Sequence, residues 1–234
     1  DPKRITAPMH FYPLKVSRLT RSLLGHIVWK MDPGERIIYL TFDDGPVPEA
    51  TPWVLRRLEE FGAKATFFCV GHNIDKHPRI FDRILRAGHT PANHTYNHLS
   101  GFKCSLEEYM ENVWKAERLT GTRLFRPPYA RITPEQYSTL RKTFRIVLGD
   151  VIAGDFDPSQ DVEYLRQNLL SNLEDGSIAI FHDSIKSIPR TSELLPAALR
   201  YFSELGYRFH ALPSGDSFEH TENKSSTDLI LKNA

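Results

Sequence analysis

The sequence is short of cysteine, of net charge and of long apolar runs. Two cysteines in 234 residues, Cys69 and Cys104, do not make a disulfide framework. Cys69 lies in the apolar stretch ATFFCV and reads as a small core residue. Thirty basic against 29 acidic side chains leave a net charge of +1. That lacks the basic excess of a phosphate binder, so nucleic acid is not an expected partner. No segment approaches the roughly 20 apolar residues of a membrane span. What remains, 40% hydrophobic and 25% charged residues, is enough for one domain with a full core.

The first eight residues, DPKRITAP, show no period and are read as a non-native cloning remnant ahead of a native Met9. No signal core follows Met9, so the default location is cytoplasmic, with export or envelope association left open. LKVSRLTRSLLGHIVWKM (14–31) is basic and amphipathic. It predicts a helix packed on the domain, with contact to a membrane surface as the lesser alternative. Residues 1–35 form an N-terminal extension, 36–213 the main domain and 214–234 a polar tail. Oligomeric state is not readable.

From residue 36 strand and helix patterns alternate. RIIYLTF reads as a buried strand, and TPWVLRRLEEFG as a helix stopped by Gly62. KATFFCV, RLFRPPY, FRIVLGD, SIAIFHD and YRFHAL are further strands. PRIFDRILRAG is a helix between Pro78 and Gly88, and Ser105/Glu108 and Thr133/Gln136 make capping boxes for two more. DVEYLRQNLLSNLEDG and SELLPAALRYFSELG complete the helices. This order predicts a parallel α/β sheet of about seven units, too few for an ideal eight-fold barrel. The expected fold is a distorted, incomplete (β/α) barrel that gapes on one side or is plugged by the N-terminal extension.

Function in such folds collects at the carboxyl ends of the strands. Here those ends carry Asp43 and Asp44, His94 and His98, Arg126 and Tyr129, Asp150 and Asp155, and His182 and Asp183. His94 and His98 are four apart, which on a helical turn points both imidazoles the same way. With a carboxylate from another strand end they make a three-ligand metal site that leaves a position open for water. One aspartate of the pair can bind the metal while the other stays free as a base. Alone, the stretch DDGP reads equally well as a helix cap and turn. His72, His77 and His89 read as surface or loop residues.

Taken together the chain resembles the polysaccharide deacetylases with a NodB homology domain, carbohydrate esterase family four. TFDDGP (41–46), NHTYNH (93–98), RPPY (126–129), DVIAGDF (150–156) and IFH (180–182) resemble that family's five motifs in order. The resemblance implies a NodB-like fold and one divalent metal on Asp44, His94 and His98. Zinc is the expected ion; cobalt, nickel, manganese or iron would suit the same ligands. It implies Asp43 as general base, His182 as general acid and the Tyr129 N–H as oxyanion donor. Arg126 would pair with Asp43, and Asp155 would orient His182. Phe156, Ile180 and Pro127 would line the acetyl slot.

The implied reaction is hydrolysis of N-acetyl groups on N-acetylglucosamine-type units of peptidoglycan or a chitin-like glycan. The alternatives are a deacylase or deformylase of a lipid-linked or small amino sugar, and a non-catalytic carbohydrate-binding relative. Four positions depart from the pattern. Ala92 and Ala130 stand where the family usually has glycine, Phe156 where tryptophan is frequent, and Gly149 where a bulkier residue is common. Gly149 is expected to open that side of the pocket. Ala130 costs roughly 1 kcal/mol if its φ is positive.

Overall fold

The computed structural model describes residues 14–17 and 27–214. Its centre is β1, Ile37–Asp43, in which every residue but Tyr39 is buried. Burial on both faces is what a central strand of a parallel sheet requires. Around it lie β2 (Thr66–Cys69), β3 (Thr90–Asn93), β4 (Leu124–Phe125), β5 (Arg145–Ile146), β6 (Val151–Ile152), β7 (Ile178–His182) and β8 (Arg208–His210). The order is β5-β4-β3-β2-β1-β7-β6, all pairs parallel, with β8 added beside the first half of β1.

The predicted strand FRIVLGD is divided. Arg145–Ile146 pairs with β4 at one edge of the sheet, and Val151–Ile152 pairs with β7 at the other. Residues 147–150 therefore join the two edges, a reach of at most ~18 Å between Ile146 and Val151. Seven strands laid flat would separate their edges by roughly 29 Å. The sheet has to curl, and it forms an incomplete barrel.

The remaining gap is bridged by the N-terminal extension. Val28 donates its N–H to Ile146 O (2.8 Å) and accepts from Leu148 N (2.9 Å), while Met31 N donates to Gly176 O (2.8 Å). Residues 14–16 run antiparallel to β6, with Val16 N on Asp150 O and Ile152 N on Leu14 O. The plug expected from sequence is present, but the helix expected over 14–31 is not seen in 14–17 or 27–31, which are extended. Residues 18–26 lie outside the described residues, as do 1–13 and most of the tail, 215–234. Asp150 anchors this strap. It is fully buried, accepts from Ile178 N (2.9 Å) and Ser177 Oγ (3.2 Å), and lies 3.8 Å from Lys15 Nζ.

The helices are α1 (Thr51–Glu60), α2 (Gly71–Lys76), α3 (Pro78–Arg86), α4 (Leu106–Thr120), α5 (Pro134–Leu140), α6 (Val162–Asn172) and α7 (Ile188–Glu204). Both expected capping boxes are present, before α4 and α5. The six-residue α2 was not expected. Period-two alternation sorts the core. Ile38, Leu40, Phe42, Phe67 and Phe181 pack outward against helix residues such as Leu58 and Leu195. Phe68, Ala92, Leu124, Val147, Ile178 and Leu212 fill the barrel interior. Ala92 is one of these core methyls and needs no left-handed backbone.

If residues 28–31 complete the barrel, Val28→Pro should destabilise the whole domain, because it removes the N–H that Ile146 accepts. The expected loss in urea unfolding is about 1–3 kcal/mol. An unchanged midpoint would show that the strap is not part of the cooperative fold.

Candidate active site

Alternation along β1 puts Thr41 and Asp43 on the interior face, side by side. Arg126, just past β4, reaches both: its Nη1 donates to Asp43 Oδ1 at 2.6 Å and to Thr41 Oγ1 at 2.8 Å. Its Nε donates to Val147 O at 3.1 Å, and the guanidinium lies 4.0 Å over the Phe68 ring. Asp43 and Arg126 are 4% and 2% exposed, so the two charges are desolvated together and need each other.

Asp44 lies past the strand in a left-handed conformation, φ 82°. Its carboxylate turns toward the loop after β3, 3.1 Å from His98 Nε2 and 3.7 Å from His94 Nε2. The His94–His98 spacing is not a helical turn, as expected from sequence, but a loop with Thr95 (φ 64°) and His98 (φ 58°) left-handed. The loop still brings the rings to 5.0 Å. His94 Nδ1 lies 2.7 Å from Arg126 O, so that nitrogen carries the proton and Nε2 keeps its lone pair. His98 Nδ1 meets Tyr129 OH at 3.1 Å. Burial, only partly opposed by Asp43, lowers the His94 pKa to about 4 and keeps the ring neutral. Burial works against the Asp44 carboxylate, but the His98 contact and the nearby imidazoles hold it well below its ordinary range.

One donor atom each from Asp44, His94 and His98 lies within 4.8 Å of the others. Two imidazole nitrogens and one carboxylate oxygen, oriented from behind by Arg126 O and Tyr129 OH, fit a divalent cation.

On the adjacent strand, β7 delivers His182 in register with Asp43. Its Nδ1 is 2.8 Å from Asp155 Oδ1, and its backbone N donates to Asp155 Oδ2 at 2.8 Å. Thr191 Oγ1 donates to the same Oδ2 at 2.8 Å. Burial pushes the His182 pKa down, but the Asp155 charge and hydrogen bond, with Asp44 and Asp43 beyond, outweigh it and raise the value to about 9. Phe156 stands edge-on to the His182 ring at 5.1 Å. The opening expected beside Gly149 is filled. At its φ of 116° a Cβ would come within 2.9 Å of Ile178 O and Ile180 Cγ1.

Tyr129 (φ 59°) and Ala130 (φ 53°) are consecutive left-handed residues in a 3-10 turn, Pro128–Ala130, entered from the buried Pro127. The strain expected at Ala130 is present. The Tyr129 side chain is 63% exposed, and its N–H, in the first positions of the turn, has no partner within it. Asp150 is not part of the His182 network, since it sits at the opposite end of β7. His89 is not a surface residue. It is buried, accepts from Ala65 N at 3.2 Å and packs edge-on to Phe67. Asn73 was missed: its Nδ2 donates to Asp44 O at 2.8 Å. A groove of about 320 Å³ runs from Asp44 and His98 past Val70, His72, Asn73 and Asn97.

Residues 30–143 match the sequence model of the polysaccharide deacetylase family. A peptidoglycan-N-acetylglucosamine deacetylase of Bacillus cereus is 32% identical over 196 residues, covering 79% of this chain and 90% of that protein. The crystal structure of the Bc1960 peptidoglycan N-acetylglucosamine deacetylase, in complex with 4-naphthalen-1-yl-N-oxidanyl-benzamide, superposes with a TM-score of 0.75. It is 31% identical, covering 82% of this chain and 94% of that one. Peptidoglycan deacetylase PdaC from Bacillus subtilis superposes with a TM-score of 0.67 at 26% identity, covering 78% and 90%. The chain belongs to the polysaccharide deacetylase family, carbohydrate esterase family four. Within it the chain is a carbohydrate N-deacetylase, a hydrolase of N-acetyl groups.

The Asp155 contact makes a pH prediction. A pKa raised above the unfolded value means that protonated His182 stabilises the fold fully below about pH 6.5. That contribution is lost as pH rises through about 9. In metal-free Asp155→Asn burial is left without its main opponent, so the His182 pKa, followed by NMR titration, should fall below its ordinary value. A pKa that stays near 9 would show that Asp155 is not its cause.

Proposed function

We propose that the protein removes the acetyl group from N-acetylglucosamine units of peptidoglycan, with zinc bound by Asp44, His94 and His98. The observation that carries the reading is the position of the Asp43–Arg126 pair and the His182–Asp155 pair. They flank the three-ligand cluster at the same rim of the sheet. When bound, the ion supplies positive charge that acidifies water and polarises the amide carbonyl.

Asp43, paired with and aimed by Arg126, accepts a proton from the attacking water as its oxygen bonds to the carbonyl carbon. The Tyr129 N–H donates to the oxygen on which negative charge develops. His182 gives its proton to the amine nitrogen as the C–N bond breaks, leaving acetate and a free amino sugar. A pKa near 9 keeps His182 protonated at neutral pH, and a dication nearby would lower it toward the working range. Phe156, Ile180 and Pro127 bound a slot for the acetyl methyl.

The groove of about 320 Å³ past His72 and Asn97 adjoins Asp44 and His98 and has room for a sugar unit. The amide and imidazole groups on its walls suit hydroxyl and acetamido partners. The names of the relatives support peptidoglycan over chitin. Action on a wall polymer requires access to the cell envelope, and envelope location is part of the proposal.

The test is acetate release from peptidoglycan fragments, chitooligosaccharides and acetylated xylan, and formate release from a formylated amino sugar. Peptidoglycan fragments should be the best substrates, and chelation should abolish turnover, with zinc restoring it. Release from chitooligosaccharides or the formylated sugar alone would overturn the substrate assignment. Full activity after verified metal removal would overturn the mechanism.

A further inference from the structure

Asp183 is fully buried, and neither the metal cluster nor the His182 pair uses it. Its two oxygens are both engaged, and both contacts fall on the turn that follows the paired aspartates. Oδ1 accepts from Gly45 N at 3.0 Å, and Oδ2 lies 2.6 Å from Thr51 Oγ1. Thr51 Oγ1 in turn accepts from Val47 N at 2.8 Å. One carboxyl therefore fastens residues 45, 47 and 51, the stretch between Asp44 and the first turn of α1. The backbone N of Asp183 also donates to Asp43 O at 3.0 Å.

The fit leaves no slack. A Cβ on Gly45 would fall 2.0 Å from Asp183 Oδ2, so the glycine of this turn is required by the carboxyl beneath it. Asp44 holds a left-handed φ of 82°, a conformation a non-glycine residue keeps only where its surroundings over-determine it. The flanking groups do so. Asn73 Nδ2 takes Asp44 O, Val70 N donates to Gly45 O at 2.9 Å, and Asp183 takes Gly45 N.

We propose that Asp183 is a positioning residue for the reaction: from the end of β7 its carboxyl fixes the turn that aims Asp44 at the metal beside Asp43. The inference rests on the roles given to Asp43 and Asp44 above. It also explains the form of the pair His182–Asp183. His182, the last residue of β7, faces the substrate, and Asp183, the first past the strand, secures the turn that follows the paired aspartates. Either protonation state preserves the clamp, since a carboxylate accepts from Thr51 OH and a carboxylic acid donates to it. An asparagine can do the same, with its oxygen toward Gly45 N and its amide toward Thr51 Oγ1.

The test uses wild type, Asp183→Ala, Asp183→Asn and Thr51→Val. Zinc is titrated into each chelator-stripped protein, and acetate release is followed on the best substrate of the panel. Asp183→Ala should lose about 10–100-fold in kcat and about tenfold in zinc affinity, the range for a group supporting a ligand from behind. KM should change little, because the substrate does not touch Asp183. Asp183→Asn should recover most of the loss, and Thr51→Val should fall between. Wild-type kcat and zinc affinity in Asp183→Ala would overturn the proposal. Where circular dichroism shows that Asp183→Ala does not fold, Thr51→Val decides, and an unchanged kcat there overturns it equally. A wild type that binds zinc but releases no acetate would contradict the deacetylase mechanism instead, and the zinc affinities would still judge Asp183.

Discussion

Two adjacent aspartates at the end of a buried strand repel each other, and the site is organised around separating them. Asp43 completes the strand and faces the barrel interior, where Arg126 meets it at 2.6 Å. Asp44, with its left-handed backbone, turns out toward two imidazoles. Each carboxylate is compensated by different positive or polar groups, so they can carry different tasks a few ångströms apart. A buried arginine–carboxylate pair is weak support for stability, and removing either partner leaves an uncompensated charge. Its value here is that Arg126 fixes the direction of the Asp43 carboxylate at the rim of the site.

The same separation governs the histidines. Burial drives His94 to about 4, where a neutral ring offers a lone pair, while Asp155 lifts His182 to about 9, where it holds a proton. Identical side chains at one rim are thus set in opposite protonation states by what stands behind them. Opposed environments of this kind assign ligand and acid without any difference in residue type. Strand register makes this possible. β7 lies directly beside β1 with His182 opposite Asp43, so His182 and Asp155 stand next to the cluster from β1 and the loop after β3.

Much of this was legible in the sequence where one physical rule dominated. Strand and helix alternation, the two capping boxes and the collection of Asp43, His94, Arg126 and His182 at strand ends follow from local pattern plus the chirality of parallel folds. The incomplete barrel followed from counting units. What escaped depended on tertiary context. FRIVLGD reads as one strand, since nothing local says that Gly149 and Asp150 cross from one edge to the other. The amphipathic period of 14–31 was overridden at its described ends by unpaired edges at Ile146 and Asp150 that demanded extended backbone. The i, i+4 histidines gave the right pair for the wrong reason, because loops as well as helices can converge two rings. Asp183 stands at a strand end with no role legible in the sequence, since a buried carboxyl is recognised only by what packs on it, here Gly45 and Thr51.

The central claim, that adjacent aspartates do different work, is tested by metal content and deacetylation rate in purified Asp43→Asn and Asp44→Asn. Asp44→Asn replaces a charged ligand oxygen by a neutral one. It should lose metal and activity together, with part of both restored by excess zinc. Asp43→Asn should keep its metal, while turnover falls by about 10²–10⁴-fold, the range for a lost general base. Loss of metal from Asp43→Asn with retention in Asp44→Asn would contradict the assignment, and near-normal rates in both would contradict the account of the pair altogether.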